Sequence, residues 1–233
     1  MVDLASEMAD LLHALGPPPG ANGRVVQFVA ATAGEGVSTV AREFARLAAE
    51  RSRRGVWLVE LDVMSGGQYA AIAADPEHYG FIGTASHASP DGSVFFAVEP
   101  PARRPDGLPF QNGPYLLAYA VGGRRWWVTR FRREALRVGQ SVHILAEPDY
   151  WNALKGFADY VVIDAPAASR SRAALAVAPF ADANVLVVSA DNRDPSGPAN
   201  LKTAIEQAGG KCAGLVFNRA PAEPPTMIKA MLP

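Results

Sequence analysis

The sequence predicts an α/β protein: a doubly wound, mainly parallel sheet flanked by helices, with an inserted β-hairpin region. Three observations carry that prediction. Short apolar runs alternate with stretches of helical periodicity along most of the chain. The runs are continuously apolar rather than alternating, the pattern of strands buried on both faces. The first run leads straight into a glycine-rich turn that opens a helix. With 233 residues, 49% of them apolar, the chain can fill the core of one large domain.

The elements follow in order. Leu4, Met8, Leu11, Leu12 and Leu15 recur at helical spacing, which predicts an amphipathic helix over 3–15, and GPPPGANG (16–23) ends it as a linker. RVVQFVAA (24–31) is the first strand, followed by a helix over about 38–52 and a second strand, GVWLVEL (55–61). DYVVID (159–164), ANVLVVSA (183–190), a helix near 197–208 and AGLVFN (213–218) continue the alternation. Residues 75–147, rich in proline, glycine and arginine, break it. Within them PYLLAYAV (114–121), Gly122-Gly123 and RRWWVTRF (124–131) read as a short accessory hairpin. The expected organisation is a helix and linker over 1–23, the α/β domain over 24–219 with 75–147 as a diverged basic insertion, and a tail over 220–233.

The turn ATAGEGVST (31–39) has the outline of a phosphate loop. Gly34 and Gly36 let the backbone turn tightly and aim its N–H groups inward, and the following helix adds its positive N-terminal end. Ser38 stands where such loops place the hydroxyl that ligates magnesium, but the signature lysine is Val37. Taken alone, an ordinary glycine-rich strand-to-helix turn explains the segment at least as well. The acids downstream favour the loop. WLVELD (57–62) places Glu60 and Asp62, and DYVVIDAP (159–166) places Asp164, at the C-terminal ends of apolar strands. In a parallel sheet those ends share the edge where ligands bind.

Composition narrows the classes. A formal net charge of −1 argues against a general nucleic-acid binder. The single cysteine, Cys212, excludes an intramolecular disulfide and a cysteine-based metal cluster. The histidines (13, 78, 87, 143) lack metal-ligand spacing, and no serine sits in a nucleophile-elbow motif. MVDLASEMAD lacks the basic flank and apolar stretch of a signal peptide, and no uncharged apolar run is long enough to cross a bilayer, so a soluble cytosolic chain is expected. Charge is uneven. Residues 103–137 hold eight arginines (103, 104, 124, 125, 130, 132, 133, 137) against Asp106 and Glu134, a net of +6 that leaves −7 elsewhere. Arg124, Arg125, Arg130, Arg132 and Arg133, interleaved with Trp126 and Trp127, form either a partner- or membrane-contacting patch or a solvated hairpin whose arginine stems cover the rings. Because strand residues alternate in direction, at most one hairpin face is an open patch.

The order GEGVST, VELD, YVVIDAPA, ADANVLVV, GLVFNR resembles the bacterial tyrosine kinases of capsule and exopolysaccharide synthesis. These are a branch of the deviant phosphate-loop ATPases that includes the MinD and ParA proteins. The resemblance covers about 24–72 and 150–219. It implies a P-loop NTPase-like fold, with Gly34, Glu35, Gly36, Val37, Ser38 and Thr39 shaping the phosphate site and Asn218 contacting the base. It also implies magnesium at Ser38, Asp62 and Asp164, with Glu60, Asp62 and Asp164 as the catalytic acids. The chain departs from the family at Val37, at Glu60 (one methylene longer than the family's aspartate), in the lack of an earlier signature lysine at Thr32 and Ala33, and in the N-terminal helix, where Glu7, Asp10 and His13 replace a Glu-Arg-Arg pattern. The C-terminal RAPAEPPTMIKAMLP lacks the family's tyrosine cluster.

A hydrogen bond to a charged group contributes about 1.5–3 kcal/mol, so losing the lysine weakens nucleotide binding roughly ten- to a hundredfold. Phosphoryl transfer suffers more, because one placed cation is worth about 10³–10⁵ in rate. The resulting expectation is a kinase-like, catalytically impaired protein of exopolysaccharide synthesis or export, of the capsule or holdfast type. ATP or ADP with magnesium would bind weakly or not at all. It would sit at the inner face of the bacterial inner membrane against an integral-membrane chain-length-determinant (polysaccharide co-polymerase) partner, with self-association open and nucleic acid disfavoured. The alternatives are an active tyrosine autokinase or ATPase of the same family, and a partition or positioning ATPase of the ParA and MinD type.

Overall fold

The computed structural model describes residues 4–18, 21–102, 110–192 and 194–219. Arg103, Arg104 and Asp106 of the basic stretch, and the tail from 220 onward, lie outside the described residues. The elements are α1 (Ala5–Leu15), β1 (Arg24–Val29), α2 (Val37–Arg51), β2 (Val56–Glu60), α3 (Gly67–Ala74), α4 (Pro76–Tyr79), β3 (Ile82–His87), β4 (Phe96–Glu99), β5 (Leu116–Val121), β6 (Trp126–Phe131), β7 (Ser141–Ile144), α5 (Asp149–Phe157), β8 (Tyr160–Asp164), α6 (Ala173–Val177), β9 (Ala183–Ser189), α7 (Ser196–Gln207) and β10 (Cys212–Asn218).

The sheet runs β10-β9-β1-β8-β2-β6-β5-β3. From β10 to β6 every pairing is parallel, and β5 and β3 close it antiparallel. The continuously apolar strands β1, β2, β8 and β9 are buried on both faces, whereas β10, equally apolar in sequence, is an edge strand and is largely exposed. Val25 and Val29 of β1 face one layer with α5, α6 and α7, while Val26 and Phe28 face the other with α1 and α2. Leu4, Met8 and Leu12 are the buried stripe that seats α1. Among the described residues, no helix is long and apolar enough to cross a membrane. At the outer edge β10 leaves Leu215 and Phe217 exposed, and Cys212 is half-buried rather than fully enclosed.

The hairpin forms, but it continues the main sheet instead of standing apart from it. β6 pairs in parallel with β2, Val56 opposite Trp126 and Leu58 opposite Val128. The ladder with β5 begins at Trp127, opposite Ala120, and the connection between the two strands spans Gly122 to Arg125, whose carbonyl accepts the Val56 N–H (2.8 Å). Gly122 and Gly123 both have φ of 63°, the left-handed region that a tight hairpin turn demands. The two tryptophans point to opposite faces. Trp126 is fully buried between the sheet and the α2 layer, and Trp127 stacks on Trp57 at 5.5 Å. Neither ring is an open stacking platform. β4 and β7 pair separately and cover the α5 face through Phe96, Val98 and Ile144.

Because Trp126 is wholly enclosed, Trp126→Ala is expected to lower the unfolding free energy by about 3–5 kcal/mol. Phe81→Ser, at an 80% exposed position, should stay within about 0.5 kcal/mol of the parent. Urea denaturation of the two variants checks the pair, and equal effects would place the hairpin outside the core.

Candidate functional site

The C-terminal ends of β1, β2 and β8 meet at one level. Phe28 and Glu60 are both in register with Asp164, so the loop after β1 and the acids of β2 and β8 open on the same cleft. That cleft encloses about 310 Å³ and is lined by the loop residues Thr32 to Thr39 with Glu60, Asp62, Asp164, Arg170 and Arg219. The loop turns through Gly34 (φ 89°) and Gly36 (φ 92°). At Gly36 a side chain is excluded twice over, by the left-handed backbone and by the Asn218 amide packed against the Cα. No side chain caps α2, which leaves its first amides for an anion at the cleft.

The loop is latched from below. The Glu35 carboxylate is buried and accepts hydrogen bonds from Ser189 N (2.6 Å), Asn192 Nδ2 (2.8 Å) and Thr32 Oγ1 (2.5 Å). Asn218 Nδ2 donates to Glu35 O (2.9 Å). Glu35 and Asn218 therefore tie the loop to the ends of β9 and β10, and the Asn218 amide points at the loop backbone. Val37, the first residue of α2, lines the cleft but is only 9% exposed and packs into the core with Val40, Ala41 and Phe28.

Behind the loop lies a polar network. The Glu60 carboxylate accepts Gly67 N (2.7 Å) and Gln68 N (3.3 Å), and so holds the start of α3. Gln68, fully buried, donates to Asp164 Oδ2 (2.6 Å) and Ser38 O (2.8 Å), and accepts from Arg42 Nη1 (2.9 Å). Ser38 also bonds Asp164. Asp62 is more open and faces Arg170 Nη2 at 3.6 Å. Gln68, Arg42, Arg170 and Arg219 were not singled out from the sequence. The last two arginines had a visible signal, each lying in a loop just past a strand that carries a site residue. Gln68 and Arg42 had none, since a polar residue inside a helix reads as surface.

The basic residues of the insertion separate. Arg124 pairs with Glu50 (3.2 Å) and Arg125 bonds the Arg53 carbonyl, at the edge where β2 and β6 begin. Arg130 pairs with Glu134 (3.1 Å) over the Tyr69 ring, Arg132 reaches Pro114 O (3.4 Å) and Arg133 reaches Met64 O (3.3 Å), at the edge of the cleft. They are two groups on opposite sheet edges, not one patch.

The strand order, loop and strand-end acids define a P-loop NTPase-like α/β fold. Among solved structures the same fold occurs in the kinase domain of the Escherichia coli tyrosine kinase ETK, with TM-score 0.56 and 13% identity over 93% of this chain and 74% of that one. It occurs in the VpsO kinase domain, with TM-score 0.52 and 17% identity over 85% and 86%. It also occurs in the septum site-determining protein MinD from Pyrococcus horikoshii complexed with Mg-ADP, with TM-score 0.55 and 16% identity over 90% and 77%. At these identities the likeness is one of fold. No protein-family model matches the chain, and no curated protein matches its sequence.

Magnesium chemistry fits the donor set, which is all oxygen: the Ser38 hydroxyl beside Asp164, with Asp62 at the mouth. No group of three or more acidic, histidine or cysteine side chains among the described residues could hold an ion unaided, so the ion would need phosphate oxygens as well. Without a cation the acids are strained electrostatically. Burial, with the Asp164 charge beside it, pushes Glu60 from 4.5 up to about 7, and burial pushes Asp164 from 3.8 up to about 6.

Both folded values lie above the unfolded ones, so the native state keeps protons that the unfolded chain releases. The contribution of these two groups to stability then falls as pH rises from about 4 to about 7 and levels off above. Each group adds a slope of at most ~1.4 kcal/mol per pH unit. Glu60→Gln is expected to flatten this fall in urea unfolding between pH 5 and pH 8. A slope unchanged from the parent would mean that Glu60 is ionised throughout.

Proposed function

We propose that the protein is a kinase-like P-loop module that binds ADP or ATP with magnesium, is impaired in phosphoryl transfer, and acts in bacterial exopolysaccharide synthesis or export. The observation that carries this reading is a complete loop scaffold combined with a buried valine at the lysine position. Val37 opens α2 yet contributes to the apolar core, so the position supplies no charge. Ser38, Asp62 and Asp164 would hold the magnesium ion, whose chemistry is to neutralise phosphate oxygens. Both Glu60 oxygens accept from the α3 amides, which commits the carboxylate to holding the start of that helix. Bound Mg-ADP in the MinD relative of P. horikoshii, and bound ADP and magnesium in a cobyrinic acid a,c-diamide synthase from Mycobacterium smegmatis, support the choice of ligand.

The biological setting rests on the sequence resemblance to the capsule and exopolysaccharide kinases and on fold neighbours that are tyrosine kinase domains. In that setting the chain works at the inner face of the inner membrane with a chain-length-determinant partner. Arg130, Arg132 and Arg133, grouped beside the cleft, are the side that an anionic segment of such a partner would meet.

Calorimetric titration tests the ligand reading. The parent is expected to bind Mg-ADP weakly. Val37→Lys, which adds a cation at the loop, should lower Kd about ten- to a hundredfold while losing some thermal stability from the core. A folded Val37→Lys that binds no tighter would mean that the cleft does not take phosphates. A second measurement addresses catalysis: incubation with ATP and magnesium followed by mass spectrometry should reveal no phosphotyrosine, and its presence would make the protein an active autokinase.

A further inference from the structure

The cleft must meet the negative charge of a phosphate group, and the position that usually does so is valine. Among the described residues lining the cleft, the cations are Arg170 and Arg219. Both are more than half exposed, but they stand at different ends. Arg219 follows Asn218 and pairs with Asp191 at 3.8 Å, on the side where Asn218 and β10 lie. Arg170 faces Asp62 and stands on the side of the strand-end acids.

The backbone explains why Arg170 is held there. After β8 the chain runs alongside the start of the loop, Ala168 N donating to Ala30 O (2.9 Å) and Ser169 N to Ala31 O (3.0 Å). A tight turn closes at once, with Arg170 N and Ser171 N both donating to Ala167 O (2.9 and 3.2 Å). The arginine's Cα is therefore fixed to the segment that begins the phosphate loop. Its side chain is not fixed. It is 64% exposed, and its 3.6 Å contact with Asp62 is longer than a hydrogen bond and worth little in water. By contrast Arg42 is committed to Tyr79 and Gln68.

We infer that Arg170 is the phosphate-binding cation of this cleft, taking a nucleotide's diphosphate or triphosphate group in place of the lysine that Val37 does not provide. The inference rests on the nucleotide-binding reading above. A guanidinium suits this role because its planar fork matches phosphate oxygens two at a time and stays charged at every physiological pH. Occupation of Asp62 by magnesium would release Arg170 from its resting partner, so metal and arginine would engage the phosphates together.

The test is calorimetric titration of ADP, with and without magnesium, into the full chain. Arg170→Ala should weaken Mg-ADP binding about ten- to a hundredfold. Arg170→Lys, which keeps the charge but loses the fork, should fall between the two. Arg124→Ala, at the opposite sheet edge, should match the parent, and adenosine binding, which lacks phosphates, should be the same in all. Parent-like Mg-ADP affinity in Arg170→Ala, or a loss confined to Arg219→Ala, overturns the assignment while leaving the nucleotide reading intact. Failure of the parent itself to bind Mg-ADP at millimolar concentration overturns the nucleotide reading, and the role of Arg170 falls with it.

Discussion

The level register of three parallel strands governs the cleft. With Phe28 and Glu60 both opposite Asp164, the strands end together, and the loop after β1 has nowhere to pass except over the two acids. That constraint sets two carboxylates side by side in a dry environment, a costly arrangement unless a proton, a cation or donors intervene. The neighbouring structure supplies donors. The amides of Gly67 and Gln68 reach Glu60, and the Gln68 side chain reaches Asp164 while Arg42 orients it from behind. The position of α3, the burial of Gln68 and the choice of a long acid at residue 60 all follow from the need to accommodate that pair.

How much of this was legible beforehand depends on whether the signal was local. Runs such as VVQFV and YVVID carry their own prediction, since a strand enclosed on both faces is apolar at nearly every position, and the expected strands 24–31 and 159–164 each differ from the observed strand at one end only, by one or two residues. Gly34 and Gly36 announced the turn because their backbone conformations need glycine. Other features were decided at long range. The RRWWVTRF segment advertises a hairpin, but nothing within it says that β6 will pair with β2, some seventy residues earlier. The short elements β3, β4, β7, α3 and α5 were missed for the same reason: their stability comes from what they cover. For Trp126 and Trp127 the sequence left open a contact patch or a hairpin with covered rings, and tertiary packing buries Trp126 and stacks the half-buried Trp127 on Trp57.

The site shows the same division. Residues that act through type and spacing, such as Ser38 and Asp164, were visible, whereas Gln68 acts only through its surroundings. Glu35 was read as part of the phosphate site, and its backbone does line the cleft. Its side chain serves the loop instead, joining residues 154 and 157 positions away in sequence. Loop shape is thereby secured by β9 and β10 through the protein's own hydrogen bonds.

Val37 is held by a different constraint from a lysine at the same position. A lysine at the head of a phosphate-loop helix is kept by the ligand it grips, and if the ligand ceased to matter the residue would drift. A valine enclosed with Phe28, Val40 and Ala41 is kept by folding itself, since enclosing such a side chain is worth about 1.5–3 kcal/mol. Replacing it by lysine would forfeit core contacts before any phosphate contact was made. Charge for the cleft is therefore less costly to place elsewhere on the rim than at residue 37.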